Sequence, residues 1–357
     1  MTRKIRVLVV EDSALMRRWL KQLLMSDGEI EVIGTVKDGS EAIAHMAQLR
    51  PDVVTLDIDL PGMNGLDVLT ELMQRAPVPV VVVTGLEDPE IAQEALTRGA
   101  VDVVRKPSGP LSLDLYKIRD ELIHKVKTAY RVTLTPPSSH PPDLPRPSLV
   151  DPPAPSVTRY AHWAVVIGAS TGGPRAVEYI LRSLPATLPA VVLVVQHMPP
   201  GFTQSFAQRL NQQSALNVCE AADRMSLTPG QALVAPGDYH LRILRAFPYP
   251  KVRLEQSPPI KGLRPAIDVT LQDAAEVWGA HTLGVILTGM GQDGLAGARA
   301  VKARGGIIIA QDQDTSVVYG MPRAIVQAGV ADRVLPLEAI PQAIVETIST
   351  ATGNKTV

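Results

Sequence analysis

The sequence predicts two doubly wound α/β domains, each built on a parallel sheet, joined by a proline-rich segment. Three observations carry that prediction. Short runs of β-branched and aliphatic residues alternate with longer stretches whose apolar residues recur at helical spacing, the pattern of repeated βα units. Hydrophobic residues make up 45% of the chain but aromatics only 4%. The cores must therefore come from Val, Ile, Leu and Ala, which suits sheets buried on both faces. Nine prolines fall between Thr133 and Pro155, a stretch that can hold neither a helix nor a central strand.

The front strands are Arg6–Val10, Val32–Val36, Val53–Leu56, Val80–Val83 and Val101–Val104, each rich in β-branched residues. Between the first two, Leu15, Met16, Leu20, Leu23 and Leu24 recur at helical spacing. Five such βα repeats give a doubly wound sheet with its active groups beyond the strand C-termini. Residues 126–159 are expected to form a partly extended linker, reaching up to ~3.1 Å per residue as polyproline II. That linker separates a front domain over 4–125 from a rear domain over 160–350. The clearest rear strands are Trp163–Ile167, Val191–Val195, Thr282–Leu287 and Ile307–Ala310. Leu233 to Leu254 reads as shorter β pieces, with a turn at Ala235-Pro-Gly-Asp238 and alternation through His240-Leu-Arg-Ile-Leu244. A hairpin near one edge of the sheet is expected there.

At 357 residues the chain is long enough for two domains with separate cores. A net charge of −1 and a pI near 6.7 leave no electrostatic footprint for nucleic acid. The one cysteine, Cys219, excludes an intramolecular disulfide framework and a cysteine-based metal cluster. After Met1-Thr-Arg-Lys the chain enters a strand directly, without an apolar leader region. No run approaches the ~18 apolar residues of a membrane span. A cytoplasmic protein without membrane insertion is expected.

Polar residues cluster where the front strands end. Glu11 and Asp12 follow the first strand, Asp57 the third, Thr84 the fourth and Lys106 the fifth. In a parallel sheet these side chains converge on one edge. Glu11, Asp12 and Asp57 make an oxygen-rich site fit for Mg²⁺. The metal would offset the charge of an incoming phosphoryl group, with Lys106 pairing to it and the Thr84 hydroxyl bonding to it. One such acid is commonly a solvated strand end, but five polar groups in register are hard to explain that way. With Glu11-Asp12-Ser13, Asp57, Pro61-Gly-Met-Asn-Gly65, Thr84 and Arg105-Lys106-Pro107, residues 5–125 resemble a response-regulator receiver of flavodoxin-like fold. The resemblance implies phosphorylation of Asp57 by a histidine kinase and a cis bond between Lys106 and Pro107. One position departs from the family pattern: Val103 stands where an aromatic is usual, so coupling of Thr84 to an aromatic rotamer is not expected.

The rear domain opens with Gly168-Ala-Ser-Thr-Gly-Gly173, directly after an apolar strand. A serine flanked by glycines at a strand-to-helix turn is the arrangement of a nucleophile elbow. A glycine-rich turn that binds phosphate or a dinucleotide, or a plain tight turn, fits the motif alone as well. A serine nucleophile needs a base, and the base needs a carboxylate to orient it. His197 leaves the strand Val191–Val195 ahead of Met198-Pro-Pro200, and Asp293 lies in the glycine-rich loop Thr288-Gly-Met-Gly-Gln-Asp-Gly294. Of the seven histidines, His197 alone is placed to meet Ser170. The chain order Ser, His, Asp differs from that of α/β-hydrolases.

Six stretches carry a second resemblance: Ile167–Gly173, Gln196-His-Met-Pro-Pro-Gly-Phe-Thr203, Ala235–Asp238, Arg264-Pro-Ala-Ile-Asp268, Leu287–Gly294 and Val317-Val-Tyr-Gly-Met-Pro-Arg323. They resemble the catalytic domain of the chemotaxis protein-glutamate methylesterases, a Rossmann-like fold with a β-hairpin, and the receiver–linker–esterase order is also that family's. The resemblance implies Ser170 as nucleophile, His197 as general base, Asp293 as its orienter and the Met290 main-chain N–H as an oxyanion contact. It implies hydrolysis of γ-glutamyl methyl esters on methyl-accepting chemoreceptors, with deamidation of receptor glutamines by the same machinery. The partners would be those receptors and a chemotaxis histidine kinase, the cofactor Mg²⁺ for the receiver with none for the ester chemistry, and the working form a monomer. The receiver would cover the Ser170 edge until Asp57 is phosphorylated. A phospho-switched regulator that binds receptors with idle esterase residues is the alternative. A DNA-acting regulator is disfavoured by the absence of a basic helix-turn-helix.

Overall fold

The structure, a computed structural model, describes residues 3–85, 89–106, 115–132 and 163–352. The proline-rich segment after Thr133 and the Lys106–Pro107 bond lie outside these residues. The chain divides into two compact units, Met1–Pro152 and Pro153–Val357.

The front unit alternates β1 (Ile5–Val10), α1 (Ala14–Met25), β2 (Ile30–Val36), α2 (Gly39–Leu49), β3 (Val53–Leu56), α3 (Gly65–Arg75), β4 (Val80–Thr84), α4 (Pro89–Arg98), β5 (Asp102–Arg105) and α5 (Leu115–Tyr130). All its strand pairs are parallel, in the order β2-β1-β3-β4-β5. Every residue of β3 and β4 is buried, as a sheet covered by helices on both faces requires. The helices start where short polar side chains satisfy the first N–H groups. Ser13 caps α1 by accepting from Met16 at 3.4 Å, and Asp38 caps α2 by accepting from Glu41 at 2.8 Å. Helix α5 continues past the expected boundary at 125, with Val126 and Ala129 buried against the core.

The rear unit comprises β6 (Trp163–Ala169), α6 (Gly173–Ser183), β7 (Ala190–Gln196), α7 (Phe202–Gln213), β8 (Asn217–Glu220), β9 (Gln231–Val234), β10 (His240–Leu244), β11 (Lys251–Glu255), α8 (Ile267–Trp278), β12 (Thr282–Ile286), α9 (Leu295–Ala303), β13 (Ile307–Gln311), α10 (Met321–Gln327), β14 (Arg333–Leu335) and α11 (Ile340–Thr352). Its seven-stranded sheet is parallel throughout, in the order β14-β13-β12-β6-β7-β9-β8. Along β6, Trp163, Val165, Ile167 and Ala169 face one core while Ala164 and Val166 face the other. That two-residue period with both faces apolar is the physical reason the strand reads as an unbroken hydrophobic run.

The hairpin lies near one edge of the main sheet, as expected, but is shorter than expected. β10 and β11 pair antiparallel as a separate two-stranded sheet. It is tied to α8, where Ile243 N–H donates to Asp273 (3.0 Å) and Thr270 Oγ1 to the Leu241 carbonyl (2.8 Å). It is also tied to the segment joining β8 and β9 at the edge of the main sheet, where Arg224 N–H donates to the Val252 carbonyl (2.8 Å) and Leu227 N–H to the Pro250 carbonyl (2.9 Å). Gln231–Val234, at the start of the expected β region, instead enters the main sheet between β7 and β8.

In both sheets the chain runs outward in opposite directions from one neighbouring pair of strands, β1 and β3 in front, β6 and β12 behind. The loops leaving such a pair diverge to opposite faces and open a crevice at the strand C-termini, where ligands of doubly wound folds bind. Glu11, Asp12 and Asp57 follow the front pair, and Ser170 and Asp293 the rear pair.

Candidate active site

Ser170 follows β6 and His197 follows β7. The two strands pair in register to their last residues, Ala169 opposite Gln196, so Ser170 and His197 are the next residues on adjacent parallel strands. Main-chain bonds fix both. His197 N–H donates to the Ala169 carbonyl (3.0 Å), Ser170 N–H to the Thr288 carbonyl (3.0 Å), and Gly173 N–H to the Ser170 carbonyl (2.8 Å). The turn leading into α6 needs its glycine. Gly172 has φ +76°, and a Cβ there would lie 2.5 Å from the Val317 Cβ, so both backbone conformation and space exclude a larger residue.

Asp293 lies in the loop between β12 and α9, and its carboxylate is 2.8 Å from His197 Nε2. Three main-chain N–H groups also donate to it: Ile267 at 2.7 Å, Asp268 at 3.1 Å and Gly294 at 3.0 Å. Two of them belong to the first turn of α8, where the helix dipole also favours an anion. Burial alone would push the Asp293 carboxyl up. The His197 hydrogen bond and charge, with the N–H groups of Ile267 and Asp268, outweigh it and hold the group below the usual carboxylate range. Beside it, burial together with the Asp293 charge holds Asp268 above that range, against a hydrogen bond from Gly297 N–H. An ionised Asp293 accepting from Nε2 fixes the imidazole with its proton on Nε2, leaving Nδ1 as the basic atom.

Met290 follows Gly289, whose missing side chain makes room for the serine: a Cβ on Gly289 would lie 2.7 Å from the Ser170 Cβ. The loop is braced from β13. Gln311 Oε1 accepts from Thr288 N–H (2.8 Å), and Thr288 Oγ1 donates to the Thr171 carbonyl (2.9 Å). Sequence reasoning missed the roles of Gln311, Thr288 and the α8 N-terminus. Arg264-Pro-Ala-Ile-Asp268 had carried a resemblance, but nothing in it says that its main chain would hold Asp293.

In the front unit, Lys106 Nζ lies 2.7 Å from Glu11 Oε2 and 2.6 Å from Asp57 Oδ2. Glu11, Asp12 and Asp57 each offer an oxygen within 4.8 Å of the others, Glu11 and Asp57 buried and Asp12 exposed. An all-carboxylate donor set of this kind suits a hard divalent cation. Thr84 ends β4 buried, one strand from Asp57. Burial, with the charge of Asp57, pushes Glu11 up to about 6 although Lys106 pulls the other way. Burial likewise raises Asp57 despite Lys106. Desolvation would lower Lys106, but bonds and charge from Asp57 and Glu11 raise it, so it stays a cation facing both carboxyls. Val103 is buried, and its carbonyl accepts from Lys125 Nζ at 2.6 Å.

Comparison with known proteins places both sites in a family context. Residues 165–344 match the family model of the CheB methylesterase, and residues 7–115 that of the response regulator receiver domain. The protein-glutamate methylesterase/protein-glutamine glutaminase of Pyrococcus horikoshii is 45% identical over 356 residues, covering 99% of this chain and 96% of that one. Its counterpart from Symbiobacterium thermophilum is 47% identical over 356 residues, covering 97% and 98%. The crystal structure of the Thermotoga maritima CheB methylesterase catalytic domain is 48% identical, with a TM-score of 0.51, covering 52% of this chain and 98% of that one.

Proposed function

The chain belongs to the receiver-bearing protein-glutamate methylesterases, and from that membership we propose that Ser170, His197 and Asp293 perform its ester hydrolysis under control of Asp57. The substrates are γ-glutamyl methyl esters of methyl-accepting chemoreceptors, and the products are the free glutamate and methanol. Ser170 Oγ attacks the ester carbonyl as its proton passes to His197 Nδ1. The imidazolium is held by Asp293, whose four-fold hydrogen bonding keeps it ionised and fixed in place. The developing oxyanion is met by main-chain donors at the Met290 loop. His197 returns the proton to methanol, breaking the C–O bond, and then deprotonates the water that releases the glutamate. A receptor glutamine follows the same course with ammonia as leaving group. The observation that carries this reading is the His197–Asp293 bond at 2.8 Å beside a serine held one strand away.

The domains proposed from the sequence are the receiver over 4–125, the linker over 126–159 and the esterase over 160–350, with the last turn of α5 carrying the receiver on to Tyr130. Asp57 accepts the phosphoryl group from a histidine kinase. Glu11, Asp12 and Asp57 would hold Mg²⁺, which supplies charge neutralisation when bound. Lys106 and Thr84 then engage the added phosphoryl oxygens. Among the described residues no helix is long and apolar enough to cross a membrane, and the proposed site of action is the cytoplasmic face of the receptor array. Methanol release from methylated receptor membranes by the purified chain tests the reading. Release at a rate that scales with enzyme supports it; receptor binding with no release would instead favour the non-catalytic regulator.

A further inference from the structure

Gln196 is the last residue of β7, directly before His197 and paired with Ala169, which precedes Ser170, and it is 2% exposed. Its Nε2 donates to the Ser170 carbonyl at 2.9 Å and to the His197 carbonyl at 3.0 Å. An amide nitrogen has two hydrogens to give, and here one goes to each. The Oε1 of the same amide is buried without a hydrogen-bond partner. It rests against Gly173, where a Cβ would lie 2.2 Å away. The reverse orientation would set Oε1 against two carbonyl oxygens, so the network fixes which end is which.

A buried oxygen without a partner destabilises a fold, and the five residues before Gln196 are all Val or Leu. An aliphatic residue at this strand end would avoid that cost. What it could not do is join the two loops. Beyond His197 the chain runs into Pro199 and Pro200, which have no N–H to extend the ladder. The Gln196 side chain takes over as the cross-strand link.

We propose that Gln196 is a positioning residue of the esterase site, which sets the spacing of the Ser170 and His197 main chains, and that Gly173 is a glycine so that this amide can fit. The proposal rests on the assignment of Ser170 and His197 as nucleophile and base. Gln196→Met keeps the length and removes both donors. With methylated receptor membranes the full-length variant is expected to lose roughly 10- to 100-fold in kcat, the range for a reacting group displaced by about an ångström. KM should stay within about threefold, and the unfolding midpoint and Asp57 phosphorylation should stay near those of the wild type. A folded variant with kcat within about twofold of wild type overturns the proposal. Should Gln196→Met fail to fold, Gln196→Glu decides. A carboxyl facing two carbonyl oxygens regains one donor only when protonated. Its activity relative to wild type should therefore climb as pH falls from about 8 to about 6, and a ratio that does not change with pH overturns the proposal. Ser170→Ala runs alongside. Methanol release surviving in Ser170→Ala removes the nucleophile assignment and this proposal with it. An inactive Ser170→Ala beside a fully active Gln196→Met overturns the proposal alone.

Discussion

Asp293 is the residue on which orientation of the proposed base depends, and its four donors make an amide a poor substitute. In Asp293→Asn the NH₂ can face the His197 Nε2 and Ile267 N–H side or the Asp268 and Gly294 N–H side. On the second side it opposes two main-chain donors that cannot give way. On the first it opposes one, and the imidazole yields by moving its proton to Nδ1, which is the wrong tautomer. Asp293→Asn should therefore lower kcat by up to roughly 10⁴, the scale for the equivalent change in serine proteases. A methyl ester needs less help than an amide, so the loss should fall below that ceiling, and a loss under about tenfold would mean that another group orients the histidine. Glu11 sets a pH dependence at the other site. Its carboxyl is pushed up to about 6, so it holds a proton below that pH and is available to a cation above it. Mg²⁺ affinity should therefore fall as pH drops through about 6, with proton release on binding below it. Calorimetric titration at about pH 5 and about pH 7 checks this, and equal affinities would contradict it.

The strand-to-helix turns differ in how tightly they are built. α6 and α7 both start from a glycine with positive φ, Gly172 at +76° and Gly201 at +87°. A Cβ at Gly172 meets Val317, whereas at Gly201 nothing lies within 4 Å. Gly201→Ala should cost about 1–2 kcal/mol, the penalty of a left-handed residue. Gly172→Ala should cost more, because Val317 must also move. Denaturant unfolding of the two variants checks the order. These turns were legible in the sequence because a polar or glycine residue after a Val-rich run marks a strand end, and a doubly wound sheet gathers its strand ends at one edge. The same logic located Ser170, His197, Asp57 and Lys106. It failed for β8 and β14, where two apolar residues stand among polar ones in Asn217-Val-Cys-Glu220 and Arg333-Val-Leu335 without a Val-rich run, and it placed the end of β9 in the hairpin region rather than in the main sheet. It also missed the donors to Asp293, since a main-chain N–H carries no mark of residue identity. Gln196 looked like the end of a strand, and only the hydrogen bonds from its Nε2 to the Ser170 and His197 carbonyls give its amide a purpose.

For the whole molecule, the front unit provides a charge switch and the rear unit an esterase. In the front unit two buried carboxyls already share Lys106. Phosphorylation of Asp57, as proposed, would add negative charge and new acceptors for that lysine and for Thr84, and their contacts would be redistributed. Val103 is buried where the aromatic switch residue is usual, so the proposed switch would not use an aromatic rotamer at that position. Methanol release should rise with Mg²⁺ and a small phosphodonor, and Asp57→Asn should lose that response while keeping basal turnover. Removing residues 1–130 should raise basal activity if the receiver mainly covers the Ser170 edge; a truncated enzyme no faster than the unphosphorylated full chain would contradict simple occlusion. The central claim is that Ser170 is the nucleophile of a receptor methylesterase. Its most direct test is methanol release from methylated receptor membranes by the wild-type chain and by Ser170→Ala, with equal thermal unfolding of the two confirmed first. Release by the wild type and only background release by Ser170→Ala is the predicted result, and release by Ser170→Ala at the wild-type rate would contradict it.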